Sequence, residues 1–69
     1  MSGEEKKYST VVDILETALK KEKASYNFYD NILKNTTVDI LYELLEKLKE
    51  EEYKHIRIIE QEIFKLESG

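Results

Sequence analysis

The chain has no cysteine, which excludes disulfides, thiolate metal sites, iron–sulfur clusters and any attached four-cysteine iron centre. It has no proline, and its two glycines, Gly3 and Gly69, lie within three residues of an end. Nothing therefore punctuates the middle of the chain. Positive charge is in deficit, with 11 Lys and Arg against 15 Asp and Glu for a net −4. A phosphate backbone is bound through a basic face, so nucleic acid is not an expected partner. No apolar run approaches the roughly 20 residues of a membrane span, and nothing reads as a secretion signal. The chain reads as a soluble cytoplasmic protein with no membrane partner. Histidine occurs once, at position 55.

What is present is helical. Sixty-nine residues make one small domain, and a chain this short usually needs disulfides, a metal or a partner chain to be stable. Without cysteine, only the last two apply. Residues 1–8, MSGEEKKY, are polar and read as a frayed tail; residues 9–67 read as a helical hairpin. Thr10 followed by Asp13 marks a helix start, with Ser9 as the competing cap. Apolar residues recur through Leu33, pause at KNTTVD, where Thr36 and Asp39 form a second capping pattern, and resume to Leu66. This predicts a helix over about 10–34, a turn at 35–37 and a helix over about 37–66. The run EKLKEEEYK, Glu50 and Glu51 included, reads mainly as a solvated helix face.

The apolar seam can be followed along each arm. Val11, Leu15, Ala18, Glu22, Ser25, Tyr29 and Ile32 step by fours and threes, and so do Leu41, Leu45, Leu48, Glu52, His55, Ile59 and Glu62. That is the spacing of helices packing nearly parallel or antiparallel. Flanking residues such as Leu19, Phe28, Leu44 and Ile58 widen each stripe beyond what one neighbouring helix covers. The pattern predicts an all-α antiparallel hairpin that dimerises into a four-helix bundle.

Glu22, Glu52 and His55 interrupt these seams with groups that ionise. Counted from Thr36 at 1.5 Å per residue, they lie roughly 21, 24 and 28 Å from the turn, within about one helical turn of each other. Glu22 and Glu52 also sit near the middle of their arms. A two-fold axis perpendicular to the bundle would bring both copies together, gathering four carboxylates and two imidazoles. Four buried anions without a cation would have to protonate, whereas two divalent ions supply four compensating charges. Glu52 and His55, three apart, project from one helix face. Oxygen-rich ligation with one His per ion suits iron or manganese, with zinc and cobalt as substitutes.

A Glu on one helix and Glu-x-x-His on the next, duplicated, is the ligand set of the ferritin-like di-iron carboxylate proteins. Residues 18–63, through ALKKEKASYNFYDNIL and LLEKLKEEEYKHIRIIEQEI, resemble half of a rubrerythrin-type domain. They are closer still to the two-helix encapsulated ferritins, whose Glu, aromatic–Tyr pair and Glu-Glu-x-x-His are matched by Glu22, Phe28–Tyr29 and Glu51–Glu52–His55. The resemblance implies a ferritin-like four-helix bundle made by a homodimer, or a higher oligomer built from it. It implies that Glu22, Glu52 and His55 of both subunits hold two iron ions and carry the catalysis. The implied activity is that of a ferroxidase-type oxidoreductase, oxidising Fe(II) with oxygen or peroxide in iron handling or peroxide detoxification. An encapsulating shell protein is the partner that such relatives reach through a C-terminal tail. This chain ends FKLESG, a departure from that tail that leaves packaging open, and without cysteine any peroxidase turnover needs an external reductant.

Each signal has a plainer reading. With 12 Glu in 69 residues, a histidine has roughly a one-in-six chance of a Glu three before it, so the spacing alone is weak. Tyr26 and Tyr29, one and two turns from Glu22, are either donors to a ligand carboxylate or redox-active neighbours, or else rings filling a core. Glu62, two turns beyond His55, is either an accessory ion site or an exposed surface acid. For the whole chain, the competing functions are a non-catalytic dimerisation module, whose buried polar groups fix register, and a structural or storage metal site without turnover.

Overall fold

A computed structural model of the protein describes residues 9–68; the segment expected to be a frayed tail, residues 1–8, lies outside the described residues. Two helices, α1 (Ser9–Asn35) and α2 (Asp39–Ser68), account for all but three of the described residues and pack against one another as a hairpin. No helix among the described residues is long and apolar enough to cross a membrane.

The chain reverses without a positive φ angle among the described residues, as expected where no glycine is available. Side chains make the turn instead. The Asn35 amide donates to the Asn31 carbonyl at 2.8 Å, satisfying one of the acceptors that a helix leaves open at its C-terminus. The Thr36 hydroxyl accepts the Val38 N–H at 3.3 Å, and the Val38 carbonyl accepts the Tyr42 N–H at 2.9 Å to open α2. Thr36 thus holds residues 36–38 outside the helix, and α2 begins at Asp39 rather than at 37. The Asp39 carboxylate lies in the first turn of α2 and Lys65 in its last turn, each with the sign that the helix dipole favours.

Among the described residues only Leu33, Leu45 and Ile56 are buried. Around them Val12, Leu15, Leu19, Glu22 and Tyr26 of α1, with Leu48, Glu52, Ile59, Ile63 and Leu66 of α2, are half-buried. In α1 the expected seam from Leu15 to Ile32 is half-buried throughout; its first member departs, Val11 being 45 % exposed while Val12 turns inward. The hairpin measures 56 × 16 × 11 Å. It is a single layer of helices, and domains need two to enclose a core.

The two broad faces of that layer differ. One carries ion pairs: Lys49 reaches Asp30 across the helices at 2.9 Å, Lys34 joins the same carboxylate at 3.1 Å, and Lys23 approaches Glu60 at 3.9 Å. The Tyr26 and Tyr53 rings tilt together there, 6.5 Å apart, with the Lys49 ammonium 5.3 Å from the Tyr26 ring centre. At 100° per residue, the opposite face receives positions 11, 14, 18, 21, 25, 28 and 32 of α1 and 41, 44, 48, 51, 55, 58 and 62 of α2. Most of these are apolar and many are exposed, with Ile14 and Ile58 at 63 % and Phe28 at 59 %.

The Lys49 ammonium, followed by that of Lys34, holds the Asp30 carboxyl below its usual 3.8. A lowered folded-state pKa stabilises the fold fully above the unfolded value, and that contribution is lost as pH falls through the lowered one. Asp30→Asn is therefore expected to lower the urea midpoint at neutral pH. The difference from wild type should shrink below pH 3.8 and vanish at lower pH, as followed by far-UV circular dichroism.

Candidate metal centre

The three residues singled out by the seam come together in space. Glu22 enters from the middle of α1; Glu52 and His55 come from the middle of α2, one turn apart on the same face. The His55 Nδ1 lies 2.9 Å from Glu22 Oε1 and 3.0 Å from Glu52 Oε1. One atom of each residue lies within 4.8 Å of the other two. The carboxylates are largely covered, with side chains 27 % and 15 % exposed, whereas the imidazole is 56 % exposed. Its position in α2 places it on the open apolar face.

A single nitrogen facing two carboxylate oxygens is best satisfied by carrying a proton shared between them. The Glu22 carboxylate first, and Glu52 second, hold the imidazolium above its usual 6.5 against the opposing effect of desolvation. The two carboxylates thus enclose a positive charge, here a proton.

The same donors fit a divalent cation. Around a six-coordinate ion with bonds of about 2.1 Å, neighbouring ligand atoms sit about 3.0 Å apart. The 2.9 and 3.0 Å separations at Nδ1 are hydrogen-bond distances, and the three donor atoms all lie within 4.8 Å of one another. The donor set, two carboxylates and one imidazole, belongs to the oxygen-rich class that iron and manganese favour. One hairpin would supply three donors, of which the His55 imidazole is the most exposed.

The other candidate residues lie elsewhere. Tyr26 engages Tyr53 and Lys49 on the charged face. Tyr29 is half-buried and meets Phe28 edge-on with ring centres 5.6 Å apart. Glu62 is exposed and approaches Lys65 at 4.0 Å. Glu50 and Glu51 are exposed.

The Asp30–Lys49 pair was not anticipated, because Lys49 falls in the charged run assigned to a solvated face. Its side chain is only 24 % exposed. Side chains lean toward the N-terminus of their own helix. In an antiparallel hairpin they therefore lean toward the turn in α2 and away from it in α1. Cross-helix partners are then several residues further from the turn in α2, as Asp30 with Lys49 and Tyr26 with Tyr53 both are. That offset was the signal available in the sequence.

No family model matches the chain, and no curated protein or solved structure matches it.

Titration of His55 by NMR in the metal-free chain tests the geometry. Glu22→Gln is expected to move the imidazole back toward 6.5 further than Glu52→Gln does, since Glu22 is the larger cause. The stability carried by this raised pKa is fully present below 6.5 and is lost as pH rises through the raised value. An imidazole that titrates the same in wild type and both variants would refute the contact.

Proposed function

We propose that this chain is half of a ferritin-like di-metal protein. In this reading two hairpins dimerise through their open faces into a four-helix bundle, with Glu22, Glu52 and His55 of both copies around a pair of ions. The observation that carries the proposal is the convergence of exactly the donor types of a carboxylate-bridged site on His55 Nδ1, with that imidazole left open on the apolar face. The local match to the encapsulated-ferritin pattern supports it.

The function that follows is oxidation of Fe(II) by oxygen or peroxide, with iron as both the bound metal and the substrate. Iron supplies one electron per ion, so a pair delivers two electrons to one oxidant. The chain supplies the rest. Glu22 and Glu52 of two copies bring four negative charges against the four positive charges of two divalent ions. His55 gives up its shared proton to become a neutral terminal ligand, so binding releases a proton. Leu48, Ile56 and Ile59 lie within four residues of Glu52 or His55 along α2, and in the proposed dimer such side chains would keep the centre poor in water, which would strengthen these electrostatic interactions.

A structural or storage metal site uses the same donors without turnover, and a dimerisation module needs no metal. Anaerobic loading with Fe(II), followed by air, distinguishes all three. The expected outcome is two ions per dimer and a rapid rise in ferric absorbance. Substituting groups that merely orient metal ligands costs about 10–100-fold, so Glu52→Ala and His55→Ala should slow oxidation by at least that factor. Oxidation at the wild-type rate in either variant would reject the site. Binding without oxidation would leave the storage reading, and a metal-free dimer the module.

A further inference from the structure

The rings of Tyr26 and Tyr53 meet across the two helices with centres 6.5 Å apart and planes tilted by 47°, inside the roughly 4.5–7 Å range of aromatic pairs in contact. Tyr29, by contrast, meets Phe28. The pair has room to turn, because Tyr53 is 50 % exposed. Both rings border an open cleft of about 560 Å³ shared with Glu46, Lys49, Glu50 and Lys54. This is the charged face, which the proposed dimer leaves outermost.

Two features bear on what the contact does under oxidation. The chain has neither tryptophan nor cysteine, and its one methionine is residue 1. Tyrosine is then the side chain from which a one-electron oxidant most readily takes an electron. The rings also lie close along the chain to the candidate centre. Tyr26 is one helical turn beyond Glu22 in α1, about 6 Å of rise, and Tyr53 directly follows Glu52 in α2. Arg57 Nη1 donates to the Tyr53 hydroxyl oxygen at 3.4 Å. A hydroxyl that accepts there directs its own hydrogen elsewhere, and water beside the half-exposed ring takes the proton on oxidation.

We infer that Tyr26 and Tyr53 are a cross-linking site, at which hydrogen peroxide, acting through metal bound at the neighbouring centre, joins α1 to α2 through dityrosine. The inference rests on the proposed centre for its oxidant and on the ring contact alone for its position. Each phenol gives up one electron and one proton. The two radicals form a carbon–carbon bond between ring carbons ortho to the hydroxyls, and tautomerisation restores both phenols. One hydrogen peroxide takes the two electrons and two protons and becomes two water molecules. The link closes the long loop between residues 26 and 53, so it restrains the unfolded chain as a disulfide would, in a chain with no cysteine to make one.

Two oxidations of the intact chain test this. In the first, the metal-free chain at high dilution is oxidised by light with a ruthenium tris-bipyridyl complex and persulfate, which needs no metal site. In the second, the Fe(II)-loaded chain receives an equimolar amount of hydrogen peroxide. Both are expected to give dityrosine fluorescence and, after trypsin, peptides 24–34 and 50–54 joined with the loss of two hydrogens. The linked chain should unfold at a higher urea concentration. Tyr26→Phe and Tyr53→Phe, which keep the rings, should abolish the link in both reactions, whereas Tyr29→Phe and Tyr42→Phe should leave it unchanged. Glu52→Ala should lose the peroxide-driven link and keep the light-driven one. Circular dichroism confirms helicity in each variant. No intrachain link in the light-driven reaction, or one that survives Tyr53→Phe, overturns the site and leaves the proposed metal centre standing. A peroxide-driven link of wild-type yield in Glu52→Ala overturns the centre as its source. A light-driven link with no peroxide-driven one in the iron-loaded chain overturns the peroxide route, and a chain that takes up no iron overturns the proposed function as well.

Discussion

One imidazole nitrogen, Nδ1 of His55, is held by a carboxylate from each helix, Glu22 at 2.9 Å and Glu52 at 3.0 Å. The rest of the molecule can be understood from what that contact demands. Two carboxylates drawn this close repel one another unless a cation stands between them, and the half-buried setting of both acids raises the cost. In the isolated hairpin a proton provides the charge. It is a minimal solution, because the imidazole that carries it is also the most exposed of the three side chains.

That exposure has a structural origin. Two antiparallel helices bury only the strip where they meet, and among the described residues the strip encloses just Leu33, Leu45 and Ile56. The charged face is closed by ion pairs and by the Tyr26–Tyr53 contact. Exposed ion pairs are individually worth little, so their main effect is to mark which face is finished. The opposite face continues the apolar pattern without a partner, and His55 lies on it. The site and the open face therefore coincide, because the His55 imidazole lies on the side where a single layer of helices encloses no core; under the proposed dimer a second hairpin would cover that side.

Much of the hairpin was legible in the sequence, for reasons that attach to particular residues. The step from Leu15 to Leu33 and from Leu45 to Leu66 has no reading other than amphipathic helix, and KNTTVD is the only interruption. The convergence of Glu22, Glu52 and His55 was legible too, since helical rise and the position of the turn set their heights. The start of α2 was misplaced because the Thr36 hydroxyl binds the Val38 N–H instead of beginning a helix. The inward turn of Val12 in place of Val11, and the Asp30–Lys49 bridge, were missed because both depend on how side chains lean across an interface.

By itself, the sequence determined the local structure: periodicity and the absence of glycine and proline from the middle leave helix as the only low-energy choice for most of the chain. It also determined which chemistry is open to the molecule, since one histidine, many carboxylates and no thiol limit the ligands to oxygen and imidazole nitrogen. Tertiary structure alone decided which oxygen atoms meet Nδ1, which face is closed by charge and which stays open. Those outcomes depend on angles of a few tens of degrees about each helix axis. The heptad pattern tolerates such rotations, whereas packing one side chain against another does not.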